Sequence, residues 1–343
     1  MNVNGNFRDH LSAMIAGDNL NQSEMHQMMN TILSGEVTDA QIGAFMAALA
    51  AKGETFAELA GAAQAMRKKA LRIQTTASTV VDTCGTGGDG THSFNISTTT
   101  AFVVAGCGVT VAKHGNRSVS SRCGSADLLE NLGVRLETEP EIVEEAITAI
   151  GIGFLFAPLY HSAMRHAAGP RKEIGLRSIF NMLGPLTNPA GANCQLLGVY
   201  APELTEMFAD ALKLLGSKRA IVVHGHDGLD EISICAPTRV SELNDGRIGT
   251  FDLLPEQFFG EPADPASMLG GDPAENADIT RRILSGEKGP RRNVVVLNAA
   301  AALVAADQAA NFQEGIKQAE AAIDTGAATG KLEQLVEFTR KNG

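Results

Sequence analysis

Along the first 72 residues apolar positions recur every three to four places. Beyond residue 75 they gather instead into short β-branched runs. "NQSEMHQMMNTILSG" opens on cap-forming Asn21 or Ser23 and closes at Gly35. "TDAQIGAFMAALAAKG" runs from Thr38 or Asp39 to Gly53 with Ile42, Phe45, Met46 and Leu49 at helical spacing. "TFAELAGAAQAMRKKA" repeats the pattern and ends in cations, which the negative end of a helix favours. These segments predict a small, all-helical N-terminal domain over residues 1–72.

After residue 75, "STVVDTC", "VTVAKHG", "GVRLE", "GFLFAP", "CQLLGVY", "RAIVVHG", "ISICA" and "RNVVVLN" predict strands. Between several of them "STTTAFVVAGC", "SADLLENLG", "PEIVEEAITAIG" and "LTEMFADALKLLG" predict helices. The alternation predicts a large α/β domain with a mostly parallel central sheet. Residues 172–186 are helical again and are expected to pack on the N-terminal helices. The expected division is therefore 1–72 with 172–190 against 73–171 with 191–343. Residues 252–288, rich in Pro, Gly and Asp, predict an irregular excursion. The faces carrying Met25, Met28, Met29, Phe45 and Met46 exceed what one small bundle is expected to bury. They predict a homodimer through the N-terminal helices.

With 343 residues, 44% hydrophobic, the chain can bury a large core. Its formal net charge of −11 argues against nonspecific binding to nucleic acid or an anionic membrane. Five scattered cysteines, odd in number, suit reduced thiols and a cytoplasmic location. No secretory signal is visible, and the longest apolar stretch, "LNAAAALVAAD", is too short to span a bilayer.

Ligands of open α/β sheets sit beyond the carboxyl ends of strands, so the strand-end loops carry the candidate chemistry. Gly85, Gly87 and Gly90 form G-x-G-x-x-G before a helix rich in Asn, Ser and Thr, a phosphate cradle. A nicotinamide dinucleotide would want an acidic residue at the end of the next strand, but "VTVA" ends in Lys113-His114. Asp89 inside the cradle fits phosphates that arrive with a divalent cation. The loop "KHGNRSVSSRCGS" offers Lys113, Arg117, Arg122 and four serines to a polyphosphate. "VVHGHDGLDE" offers either a hard-cation site at Asp230 and Glu231 or a transition-metal site at His224 and His226. Arg171, after Gly169-Pro170 and before an expected helix, could take a carboxylate bidentately. No nucleophile elbow or Walker lysine appears.

Taken in order, "GTGGDG…FNIST", "KHGNR.VSS..GSADLLE.LG", "HSAM……R", "R.IFN.LGPLTNP" and "VVHG.DGLDE" resemble the anthranilate phosphoribosyltransferase family from about residue 10 to "NAAAAL". The resemblance implies a nucleoside phosphorylase/phosphoribosyltransferase-like fold and a homodimer. It also implies transfer of the 5-phosphoribosyl group from 5-phosphoribosyl 1-diphosphate (PRPP) to the amine of anthranilate, with Mg²⁺, two ions per site. Gly85, Gly88, Asp89, Ser93, Asn95, Ile96, Ser97 and Thr98 match its diphosphate loop. Lys113, His114, Gly115, Asn116, Arg117, Ser118, Val119, Ser120, Ser121 and Ser125 match its PRPP clamp. Ser97, Asp230 and Glu231 match its magnesium ligands, and Gly85, Asn116 and Arg171 its anthranilate contacts. Ser118 and Cys123 depart from the family's usual Ala and Ser. The implied chemistry needs leaving-group stabilisation, with Lys113 as its cation, and no general base. Two rivals stand beside it: a pyrimidine nucleoside phosphorylase, and a non-catalytic nucleic-acid-binding paralogue.

Overall fold

A computed structural model describes residues 3–118 and 122–342. Four helices come first: α1 (Val3–Ile15), α2 (Gln22–Leu33), α3 (Asp39–Lys52) and α4 (Phe56–Lys69). Asn21, Thr38 and Thr55 cap α2, α3 and α4, each answered by a Glu or Gln three residues on. The last of these partners, Glu58, is fully buried, accepts from the Leu20 N–H at 2.9 Å and pairs with Lys52 at 2.9 Å.

The alternating region follows as β1 (Val81–Gly85), α5 (Ile96–Gly106), β2 (Val111–Gly115), α6 (Ser125–Leu132), α7 (Pro140–Ile150) and β3 (Ile152–Phe156). Three helices then return toward the bundle: α8 (Ala157–Tyr160), α9 (Arg165–Ile174) and α10 (Ile179–Leu183). α9 packs on α2 and α3, and α10 on α3 and α4. The chain re-enters the sheet with β4 (Cys194–Gly198), α11 (Leu204–Leu214), β5 (Arg219–Gly225), β6 (Thr238–Asn244) and β7 (Arg247–Leu253). It ends in α12 (Glu256–Phe259), α13 (Pro273–Leu284), α14 (Pro290–Ala305), α15 (Phe312–Asp324) and α16 (Ala327–Asn342).

The described strands make one sheet in the order β3-β2-β1-β4-β5-β6-β7, parallel from β3 to β5 and antiparallel beyond. The chain leaves β1 in one direction and returns at β4 on its other side. Loops following β1 and β4 therefore open onto a topological switch point, the usual place for a ligand in such sheets.

Several expectations are corrected. "RNVVVLN" is not a strand but the start of α14: Gly289-Pro290 begins a helix, and burial on nearly every side leaves no polar face to reveal its period. "GVRLE" and "ISICA" join no strand; their Val134, Leu136, Ile232 and Ile234 simply fill the core from loops. Residues 252–288 contain α12 and α13 rather than only irregular chain. The β6–β7 hairpin turns at Asp245-Gly246, whose φ values of +46° and +82° suit a tight connection. Finally, Met25, Met28, Met29, Phe45 and Met46 are at most 2% exposed and share one core with α10 and α11. Those faces close within the chain, so they cannot form a surface between two copies.

Candidate active site

β1 and β4 lie in register with Gly85 opposite Gly198, and both glycines make room for Asp230. A Cβ on Gly85 would collide with the Asp230 carboxylate, and one on Gly198 with the Asp230 carbonyl. The loop after β5 thus lies against the ends of both strands. Asp230 Oδ2 accepts the Gly87 N–H at 2.9 Å, joining the acidic loop to the glycine loop.

In the glycine loop, Gly87, Gly88 and Gly90 hold φ of +63°, +72° and +75°, which other residues rarely adopt. Asp89 folds onto its own loop, accepting the Thr91 hydroxyl at 2.5 Å and the Thr91 N–H at 3.3 Å. Ser93 bridges to Leu269, and Asn95 precedes α5 while donating to the Cys123 carbonyl at 3.1 Å. Ile96 and Thr98 are buried in the first turn of α5, and Ser97 is half-buried. That turn is tied to β1 by the Thr83 hydroxyl, which donates to the Ser97 carbonyl at 2.9 Å.

Lys113 is 3% exposed in the middle of β2. Its ammonium donates to the Thr83 carbonyl and lies 3.4 Å from Ser97 Oγ. Burial pushes its pKa down, while Asp82, Cys84, Glu231 and Asp230 pull it back up. Burial, with Asp89 beside it, pushes Asp230 up to about 7. Glu231 is raised well above the usual carboxylate range by burial and by Asp230, with Lys113 opposing. Burial raises these carboxylates despite the Lys113 ammonium beside them, and a hard divalent cation supplies further positive charge. Among the described residues no three His, Cys, Asp or Glu side chains gather closely enough to hold a metal. The oxygen donors of Ser97, Asp230 and Glu231 fit Mg²⁺ when substrate phosphates and water complete its shell. The transition-metal alternative does not assemble: His224 is buried with Nδ1 on the Val199 carbonyl at 2.8 Å, and exposed His226 lies 3.9 Å from Asp252.

The second loop divides. His114 is buried; its Nδ1 donates to the Gly184 carbonyl at 3.1 Å and its Nε2 lies 3.2 Å from His161 Nε2. Burial pushes these imidazoles down to about 3 and about 4. Gly115 abuts Ser125 and Phe154 closely enough to exclude a side chain, and Asn116 is exposed with its N–H donating to Ser125 Oγ at 3.2 Å. Arg117 does not point free into the cleft, for it pairs with Asp127 and Glu130, each at 2.9 Å. The Ser118 N–H is held by Asp127 at 3.1 Å. Val119, Ser120 and Ser121 lie outside the described residues.

Arg171 corrects its expected setting. It lies inside α9, in the last turn, and the helix continues through buried Pro170 instead of starting after it. Packing of α9 on the bundle overrides the break that Gly169-Pro170 suggested. The guanidinium is half-buried 5.4 Å from the Phe180 ring centroid and has no ion-pair partner among the described residues. One contact escaped the sequence reading. Arg177 donates to the Gly88 carbonyl at 2.7 Å, from a segment remote in sequence from the loop it touches.

Residues 77–329 match the family described as "Glycosyl transferase family, a/b domain" and residues 8–70 that described as "Glycosyl transferase family, helical bundle domain". The chain is 68% identical over 338 residues to an anthranilate phosphoribosyltransferase of Desulfosudis oleivorans, covering 98% of this chain and 100% of the relative. A crystal structure of the Thermus thermophilus protein of that name is 44% identical, with a TM-score of 0.92 over 96% of this chain and 99% of that one. The Saccharomyces cerevisiae protein of that name, in complex with PRPP and Mg, is 29% identical with a TM-score of 0.89 over 98% of both chains.

Proposed function

The chain belongs to the anthranilate phosphoribosyltransferase family, and from this premise we propose how its residues divide the work of the reaction. The enzyme moves the 5-phosphoribosyl group from PRPP to the amine of anthranilate, releasing diphosphate, in tryptophan biosynthesis. These relatives favour neither the nucleoside phosphorylase nor the nucleic-acid-binding reading.

The reading of the site is carried by one observation: Asp230 locks onto the glycine loop through the Gly87 N–H, so acidic and phosphate-cradling elements face one cleft. Gly85, Gly88, Asp89, Ser93 and residues 95–98 hold the diphosphate of PRPP. Lys113, His114, Gly115, Asn116, Ser118 and Ser125 line its approach, and Arg117 joins them only by leaving Asp127 and Glu130. Two magnesium ions per site, with Ser97, Asp230 and Glu231 as protein ligands, belong to this reading. Bound magnesium neutralises the charge that grows on the departing diphosphate. Lys113 holds a positive charge beside the same charge, in surroundings where water does not screen it. Arg171 takes the carboxylate of anthranilate, and Gly85 and Asn116 bound the space for its ring. The neutral aromatic amine attacks C1 as the diphosphate bond loosens, and its proton leaves afterwards without a dedicated base.

The division of the chain into 1–72 with 172–190 and 73–171 with 191–343 is part of this proposal, supported by α9 and α10 packing on the bundle. So is a homodimer through the outer faces of the N-terminal helices, where Ile15 is 68% exposed. A monomer in sedimentation at micromolar concentration would remove it. A cytoplasmic location completes the reading, since buried thiols such as Cys84 and Cys194 suit a reducing compartment. No helix among the described residues is long and apolar enough to cross a membrane.

The decisive assay follows loss of anthranilate fluorescence with PRPP and Mg²⁺. Loss only when both are present is expected. Undiminished activity in excess EDTA would refute the role given to the metal, and no loss at all the role given to the site.

A further inference from the structure

We infer that Arg177 is a positioning residue for the diphosphate loop, acting through the Gly88 carbonyl; this rests on the phosphoribosyl-transfer reading above. Arg177 stands between α9 and α10, two helices that pack against the bundle, and so reaches the glycine loop from outside the sheet. Nη2 donates to the Gly88 carbonyl at 2.7 Å. The central guanidinium carbon lies 3.7 Å from the centroid of the Tyr200 ring, just beyond β4. Stacking on one side and a hydrogen bond on the other hold an otherwise exposed arginine in place. No carboxylate pairs with it among the described residues.

The contact matters because of what Gly88 could otherwise do. At a φ of +72° the residue uses a region open to glycine, and glycine loops turn their peptides over at small cost. No cis peptide occurs among the described residues, so the Gly88 C=O and the Asp89 N–H point in opposite directions. With the carbonyl fixed on Arg177, the Asp89 N–H is fixed on the other side. The negative end of this peptide is thereby turned away from an incoming diphosphate, and its positive end is set for a phosphate oxygen. The loop then needs no reordering when PRPP arrives. The approach is close: a Cβ on Gly88 would come within 2.9 Å of Arg177 Nη2.

The test is a double-mutant cycle on steady-state kinetics, with melting temperature followed for every variant. Arg177→Ala is expected to raise the KM for PRPP about tenfold, the size of one charged hydrogen bond. The KM for anthranilate and the melting temperature should stay unchanged, as the residue is exposed. Arg177→Lys should recover part of the loss. Gly88→Ala should cost more in the wild type than in the Arg177→Ala background, because the guanidinium its Cβ meets is then gone. Additive penalties would overturn the inference, since a mere loss of nearby positive charge adds to a distant strain. If Gly88→Ala does not fold, Tyr200→Leu takes its place: loss of the stack should raise the KM for PRPP by an intermediate factor, and a wild-type value would overturn it. A wild-type chain that consumes no anthranilate defeats the transfer reading itself. An active wild type whose Arg177→Ala variant keeps its KM for PRPP, or loses anthranilate binding instead, defeats only this inference.

Discussion

The main-chain carbonyl of Asp230 stands where the first side-chain carbon of any larger residue at Gly198 would have to sit. The obstacle is backbone, which cannot swing aside as a flexible side chain can. Gly198→Ala is therefore expected to cost about 1–3 kcal/mol of stability, the range for overpacking a filled site. It should also move the acidic loop and raise the magnesium concentration needed for half-maximal activity. Thermal melts and a magnesium titration check this, and a titration identical to wild type would refute the coupling.

Lys113 is a cation buried beside Asp82, Asp230 and Glu231. Lys113→Met keeps the length of the side chain and removes its charge. The turnover number should fall about 10²–10³-fold, as when a preorganised electrostatic contact to a transition state is lost. The carboxylates left behind should also lower the melting temperature in EDTA, and magnesium should restore part of it. A variant with unchanged turnover would remove Lys113 from the chemistry.

Arg171 is a half-buried cation without an ion-pair partner among the described residues, and burial already pushes its pKa down. A carboxylate substrate relieves that state. Arg171→Ala should raise the KM for anthranilate roughly tenfold to a hundredfold, matching about 1.5–3 kcal/mol for a charge-assisted contact. The KM for PRPP should barely change. Arg171→Lys should recover only part, lacking the planar fork. Equal rises in both constants would move Arg171 to the phosphate site.

The His114–His161 pair sets a pH dependence. In the unfolded chain each imidazole takes a proton near 6.5; in the fold they resist until about 3 and about 4, chiefly because they are buried. Between those limits the unfolded chain binds more protons, so stability is present above the unfolded value and is lost as pH falls. The loss approaches about 1.4 kcal/mol per pH unit for each histidine. Asp230 and Glu231, raised by burial, act in the opposite sense over this range, so the pair is read from the difference in melting temperature between wild type and variant from pH 7 down to 4.5. That difference should shift in favour of His114→Asn as pH falls, and a constant difference would clear the pair of responsibility.

Much of the fold was legible because its signals are local. Caps at Asn21, Thr38 and Thr55 and the strand-loop-helix run at residues 81–106 follow from neighbouring residues alone. "RNVVVLN" misled because a helix buried all round shows β-branched residues and no polar stripe. The methionine faces misled although residues 172–186 were expected against the bundle, because the further cover from α11, such as Phe208, lies far along the chain. Motifs singled out the glycine loop and Asp230, and the fold brings these two together through the Gly87 N–H. Arg177 opens the quoted motif R.IFN.LGPLTNP, but its contact stayed hidden because nothing near it in sequence announces a carbonyl 89 positions away. Arg117 offered a cation, but only the fold shows Asp127 and Glu130 taking it.

Strand β1, an interior strand of the sheet, is bordered on one side by β2, which follows soon after it, and on the other by β4, which begins only at Cys194. During synthesis this imposes an order of events. The first half of the sheet emerges with one side of β1 bare, and a bare strand edge accepts any extended chain that reaches it. A chain halted near residue 190 would contain every letter of the glycine loop and none of the floor that Gly198 and Asp230 put beneath it. Such a fragment should aggregate when made alone, and supplying residues 191–343 alongside it should restore solubility and activity together.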